Sequence, residues 1–189
     1  VLPGVQVIPE NTFGADSCCN VETVIMADTV TRIEYSAFRQ CRKLAFVKFS
    51  RNLEYIGDCV FEDCESLTSI FIPDSCREIG DLVLNWTELI ILVVPQHTVL
   101  GRNVISLTPL RGKSNVDDVN AWIKSINDAD EYALHRLCSS MDPSEDAIYQ
   151  MICEQGGPHA MAQKNSIGIT PSRYLASNPY ADVDEMKLI

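Results

Sequence analysis

Eight cysteines, three histidines and one Asn-Trp-Thr tripeptide are the residues of this chain whose types could do chemistry. A cysteine metal site needs thiolates spaced to reach one ion, usually as C-x-x-C pairs. Here Cys18 and Cys19 are adjacent, and Cys41 and Cys64 stand 23 residues apart. His97, His135 and His159 form no H-E-x-x-H pattern, and no phosphate-binding or dinucleotide glycine loop occurs. His135 and Cys138 lie three apart, so on a helix they could pair as base and nucleophile. Neither an orienting third residue nor an oxyanion site accompanies them. The expectation is therefore no catalytic residue, no metal and no cofactor, with a cysteine-dependent hydrolase centred on Cys138 as the competing enzyme reading. Asn85-Trp86-Thr87 is a glycosylation sequon, which matters only in a secreted chain.

The balance of charge narrows the partners. Among 189 residues, 15 Lys and Arg stand against 26 Asp and Glu, a net charge of −11. Such a chain repels phosphate backbones and anionic lipid, so neither nucleic acid nor membrane is expected as a partner. Hydrophobic residues at 46% and charged residues at 22% are globular proportions. The longest apolar run, Leu89 to Val94, is far shorter than the ~20 residues of a membrane-spanning helix. The opening Val1–Phe13 has no basic stretch followed by a long apolar one, so no signal peptide is read there. A soluble, cytoplasmic, reduced chain is the expectation; a secreted or cell-surface chain is the alternative.

The elements that position these residues come from a repeat. Phe38, Cys41, Leu44, Val47 and Phe49 recur as Phe61, Cys64, Leu67, Ile70 and Ile72, all 23 residues on. Val30, Leu53 and Cys76 form one further series, and Ile33, Ile56 and Ile79 another. Upstream, Val5, Ile8 and Phe13 keep the spacing of Val30, Ile33 and Phe38, before a two-residue stretch around Gly14 to Cys18. Downstream, Leu89, Leu92 and Val94 follow Leu67, Ile70 and Ile72 at an offset of 22, implying a one-residue deletion near Leu82–Trp86. The segments Val21–Met26, Leu44–Phe49, Leu67–Ile72 and Leu89–Val94 are short, apolar and β-branched, as strands are. One such unit cannot bury its apolar positions alone. Stacked units would form interior ladders, and neighbouring cysteines of one phase would be small buried residues of a tight turn.

The strand followed by P-D-S, E-I-G, F-x-x-C and x-L resembles the BspA-type leucine-rich repeats. The stretches that carry the likeness are Ile56-Gly57, Phe61 to Cys64, Leu67 to Asp74, and Ile79-Gly80. The resemblance implies a curved solenoid with parallel strands on one face, and a role in interaction rather than catalysis. The pattern departs from the family at Ala27 and Ser50, where proline is usual, and at Val83 to Trp86, where F-x-x-C is lost.

After Pro95 the pattern stops, and Gln96 to Asn115 mixes Gly, Ser, Asn, Thr and Pro as a connector does. Asp117 or Asp118 can then cap a helix with Val119, Trp122, Ile123 and Ile126 on one face, a helix suited to covering the last repeat. Trp122 is read as core. Further helices follow, one with Ala133, Leu134, Leu137 and Cys138 and one with Ala147, Ile148, Met151 and Ile152 as apolar stripes. Ala133–Cys138 and Gly168–Ala176 resemble the ankyrin T-P-L-H-x-A helix start, with His135 at the His position and Thr170-Pro171 at the Thr-Pro. The expected fold is a repeat solenoid of leucine-rich repeats with short parallel strands, followed by an α-helical, ankyrin-like segment. Residues 1–95 would hold four to five repeats of about 23 residues, 96–116 a linker, and 117–189 the helices.

Strand alternation then selects a surface. With Val47 and Phe49 inward, the outward pairs are Thr23 and Ile25, Phe46 and Lys48, Ser69 and Phe71, and Ile91 and Val93. Side by side, Ile25, Phe46, Phe71, Ile91 and Val93 would form an apolar patch, which either binds a partner protein or is covered by another part of the chain. The expected function is a non-catalytic protein–protein interaction module presenting this strand face, with adhesion at a cell surface as the alternative.

Overall fold

The computed structural model describes residues 4–14, 20–113, 117–128, 133–155 and 157–182. They belong to two compact units, Val1–Ile123 and Lys124–Ile189.

The first unit is a parallel β-solenoid. Each of the first four turns contributes a short strand to each of two rows. One row is a five-stranded sheet of β1 (Val7–Ile8), β3 (Arg32–Ile33), β5 (Tyr55–Ile56), β7 (Glu78–Ile79) and β9 (Val99–Leu100), in that order. The other contains β2 (Thr23–Ile25) paired with β4 (Phe46–Lys48), and β6 (Ser69–Phe71) paired with β8 (Ile91–Val93). The register follows the repeat: Val24 faces Val47, Ile33 faces Ile56, and Ile56 faces Ile79.

Apolar ladders fill the interior because each turn repeats the same inward positions. Ile8, Ile33, Ile56 and Ile79 line one wall, and Val30, Leu53 and Cys76 another, all buried. Phe13, Phe38 and Phe61 stack with centroids 4.9 and 5.5 Å apart. The cysteines of one phase serve the turns. Cys41 Sγ donates to Phe13 O and Cys64 Sγ to Phe38 O, at 3.3 and 3.2 Å. Cys18 and Cys19, and the stretch 15–19, lie outside the described residues.

The corners carry a second periodicity. Ser36, Cys59, Leu82 and Asn103 take left-handed φ values of 52 to 58°, and so do Gln40, Asp63, Trp86 and Leu107 at 55 to 62°. That conformation sends each corner amide toward the next turn: Gln40 N donates to Glu62 O, Asp63 N to Asn85 O, and Trp86 N to Ser106 O. A residue with a Cβ pays roughly 1–2 kcal/mol to sit there, least for Asn and Asp. Closer still is the approach at the glycines after β5, β7 and β9. A Cβ on Gly80 would lie 2.7 Å from Asp58 N and 2.8 Å from the Gly57 carbonyl carbon. Only hydrogen fits there, which is the physical content of the E-I-G motif.

The phase of the last turns corrects two expectations. Left-handed corners at Leu82 and Trp86 lie 23 residues after Cys59 and Asp63, so the F-x-x-C step persists as Leu84 to Thr87. The deleted residue therefore falls at Glu88, which stands alone where the previous turn has Glu65-Ser66, and not at Leu82–Trp86. Nor does the array stop at Pro95. β9 pairs in parallel with β7, Leu82 N and Leu84 N donate to Arg102 O and Val104 O, and Leu110 N donates to Leu89 O. The polar composition of 96–110 belongs to corners, and one residue missing between Thr98 and Val99 hides the period.

The array ends on α1 (Val119–Asp128). Asp118 caps it, its Oδ1 accepting from Ala121 N at 3.0 Å. In earlier turns Ile33 O, Ile56 O and Ile79 O accept from the Gly57, Gly80 and Gly101 amides. At the last strand the Asn120 side-chain amide takes that place, donating to Leu100 O at 3.2 Å and Gly101 O at 3.0 Å. An open strand edge is thus satisfied by one side chain.

The second unit holds α2 (Ala133–Ser139), α3 (Glu145–Glu154) and α4 (Pro171–Ser177). Ser144 caps α3, and Thr170 caps α4 with Pro171 in the first turn. Of the expected stripes Leu134, Cys138, Ile148 and Ile152 are buried, while Ala133, Leu137, Ala147 and Met151 are half-buried; Leu175 and His135 are buried too.

Candidate interaction surface

The strand face of β2, β4, β6 and β8 is the first candidate, and its residues divide. Thr23 and Ile25 are exposed, Ile25 at 56%, and Phe46 beside them is 37% exposed. Lys48, Ser69 and Val93 are half-buried. Phe71 and Ile91 are buried, at 2% and 1% exposure, so the continuous apolar patch expected from alternation is broken. The chain removes these two large side chains from water, as burial of so much apolar area favours. What stays open is the β2–β4 end, where Thr23 faces Phe46 and Ile25 faces Lys48 across the parallel pair.

The opposite row presents a different face, missed in the sequence because two-residue strands are too short to show alternation. Its outward positions run Val7, Arg32, Tyr55, Glu78 and Val99. The Arg32 guanidinium lies 4.1 Å above the Tyr55 ring and pairs with Glu34 at 2.9 Å. These contacts hold the side chains to one another along the row.

Cys138, His135 and Asn85 each engage the fold. Cys138 is fully buried, and burial pushes its thiol up to about 12, so it stays protonated at neutral pH rather than forming the thiolate a nucleophile needs. His135 Nε2 lies 3.1 Å from both Gln163 O and Ile169 O, and since carbonyls only accept, Nε2 carries the proton. The ring ties α2 to the loop ahead of α4. The His135–Cys138 pair is therefore not an activated nucleophile and base. In the sequon, Asn85 is buried and its amide nitrogen donates to Glu62 Oε1 at 3.2 Å, so the atom a glycan would occupy is engaged in the fold.

Burial lowers the His135 pKa below 6.5, opposed by the bonds to Ile169 O and Gln163 O. A histidine neutral when folded and protonated when unfolded contributes stability that is complete above the unfolded value. That contribution is lost as pH falls from there toward the lower folded value. The helical unit should therefore melt at lower temperature as pH drops from about 7 to about 5, beyond the change seen in His135→Gln. Thermal melts by circular dichroism on both chains measure it. Equal pH dependence in the two would remove His135 as the cause.

A model of the BspA type leucine rich repeat region, in six copies, matches residues 6–130. The chain belongs to the BspA-type leucine-rich repeat family. The match runs past Pro95, in keeping with the turn through β9 and the capping helix. No curated protein matches the chain. Among solved structures, a leucine-rich repeat protein from Bacteroides ovatus ATCC 8483 is similar at 23% identity and a TM-score of 0.40, over 55% of this chain. The match spans 35% of that protein's length. For a BspA-type repeat the glycine of E-I-G now has its explanation in turn-to-turn contact, and the cysteine of F-x-x-C in a thiol bond to the preceding turn.

Proposed function

We propose that this chain is a non-catalytic protein-interaction module that receives a partner protein on the open end of its β2–β4 strand face. The observation that carries the reading is the exposure of Ile25 and Phe46 on paired strands of a leucine-rich repeat solenoid. Apolar anchors set on a rigid sheet lose little freedom on binding, which favours their use as contact points. Thr23 and the half-buried Lys48, Ser69 and Val93 would complete the contact; Phe71 and Ile91, being buried, would not touch the partner. We read residues 133–182 as ankyrin-like. His135 reaches the backbone ahead of Thr170-Pro171, which supports that reading, although the 38 residues from the start of α2 to that of α4 exceed the ~33 of an ankyrin repeat.

Ile25→Asp/Phe46→Asp tests the surface, since both side chains are exposed enough for the fold to survive the change. In quantitative affinity capture from native lysate, the specific partners of the wild-type chain are expected to be lost, with the thermal melt unchanged. Retention of every partner by the folded double variant would show that binding lies elsewhere.

A further inference from the structure

A second surface lies at the corner before β8, where the shortened turn leaves a recess of about 380 Å³ lined by Asp63, Glu65, Trp86, Thr87, Glu88 and Leu107. In the preceding turn Ser66 closes this place, its amide and hydroxyl both bonded to Arg42 O at 3.1 and 2.7 Å. The residue equivalent to Ser66 is the one deleted beside Glu88. Trp86 and Leu107 occupy matching left-handed corners of adjacent turns, yet they are 55% and 61% exposed. Their counterparts one and two turns earlier, Asp63 and Gln40, are polar, and Asp suits that backbone better. Two large apolar side chains thus stand where the backbone disfavours them and where burial returns little, a combination the fold itself does not use.

The surroundings define what fits. Glu65 pairs with Arg42 at 3.3 Å, whereas Glu88 has no ion pair among the described residues, and Asp63 Oδ2 meets only the neutral Gln40 amide at 3.5 Å. An exposed indole with carboxylates around it attracts a cation over its face, more strongly than any other ring does. We propose that the Trp86–Leu107 recess receives an arginine or lysine side chain from a basic segment of a partner protein. The stem packs on Leu107, the charge lies against the indole, and Glu88 and Asp63 accept its hydrogen bonds. Electrostatic steering by a chain of net charge −11 raises the encounter rate with such a segment. This inference rests on the interaction reading above but uses a separate surface, so Ile25→Asp/Phe46→Asp should leave it intact.

The test is fluorescence anisotropy of the full chain with a short fluorescein-labelled Gly/Ser peptide carrying Arg-Lys at its centre. The comparison probes are the same peptide with Glu-Glu, and free arginine amide as competitor. Binding of the basic peptide alone is expected, weakened about tenfold by Trp86→Asn and about threefold by Glu88→Gln. Asparagine suits the left-handed corner, so Trp86→Asn should keep the wild-type circular dichroism spectrum. Failure of the basic peptide to bind, or equal affinity in folded Trp86→Asn, would overturn the proposal. So would equal affinity for the acidic peptide, or displacement by arginine amide at the peptide's own concentration, which would mark a small-cation site instead.

Discussion

Phe61→Ala is expected to destabilise the solenoid by about 3–5 kcal/mol, the range for removing a fully buried phenylalanine. Phe61 is 1% exposed, stacks on Phe38 at 5.5 Å and meets the edge of Phe49 at 5.9 Å. Truncation would therefore leave a cavity bounded by two other rings. In a stacked array each turn is held only by its neighbours, so the damage also divides the array. The urea transition followed by circular dichroism should move to lower concentration and lose steepness as the two halves uncouple. Phe61→Leu, which keeps most of the volume, should cost about 1 kcal/mol. A Phe61→Ala transition as steep as the wild type would contradict the neighbour-only picture.

Gly80→Ala should cost about 2–3 kcal/mol although it adds a single methyl. The added carbon would press on the Asp58 carboxylate and amide and on the backbone of Gly57, and backbone moves only by shifting the whole turn. Moving it would also disturb the bond from Asp81 N to Asp58 Oδ1 at 2.8 Å. The series of glycines grades the effect. Gly101→Ala, which meets the Gly80 backbone more closely, should cost at least as much; Gly57→Ala, at 2.9 Å from Tyr35 N, should cost less. Gly112→Ala, with nothing within 4 Å, should stay within about 0.5 kcal/mol. Equal losses across the four in chemical denaturation would show that glycine serves these turns through chain entropy instead of contact.

Those two positions also show what a reader of the sequence can and cannot see. Phe61 is legible because its phase recurs at Phe38 and because inward positions of a solenoid must be apolar in every turn. The glycines after β5, β7 and β9 are visible as a motif, but the reason for them is a distance between turns, which no single turn contains. At Leu84 and Thr87 the Phe and Cys that mark the corner step are both replaced, and a single residue is missing at Glu88, so the repeat phase slips there. The slip hid both the true place of the deletion and the turn through β9. Alternation picks out a strand face, but it says only which way a side chain points. Whether Phe71 and Ile91 meet water is decided by what else packs there.

Asn120 has a meaning that reaches beyond local bonding. A stack of near-identical turns is, in the language of polymer chemistry, a growing chain whose end is chemically the same after every addition. The carbonyls of Leu100 and Gly101 would accept another turn, from this molecule or from a neighbour, as readily as those of Ile56 or Ile79 do. One side-chain amide acts as the chain stopper. The stack is consequently closed by a side chain of the capping helix α1 instead of by a further strand.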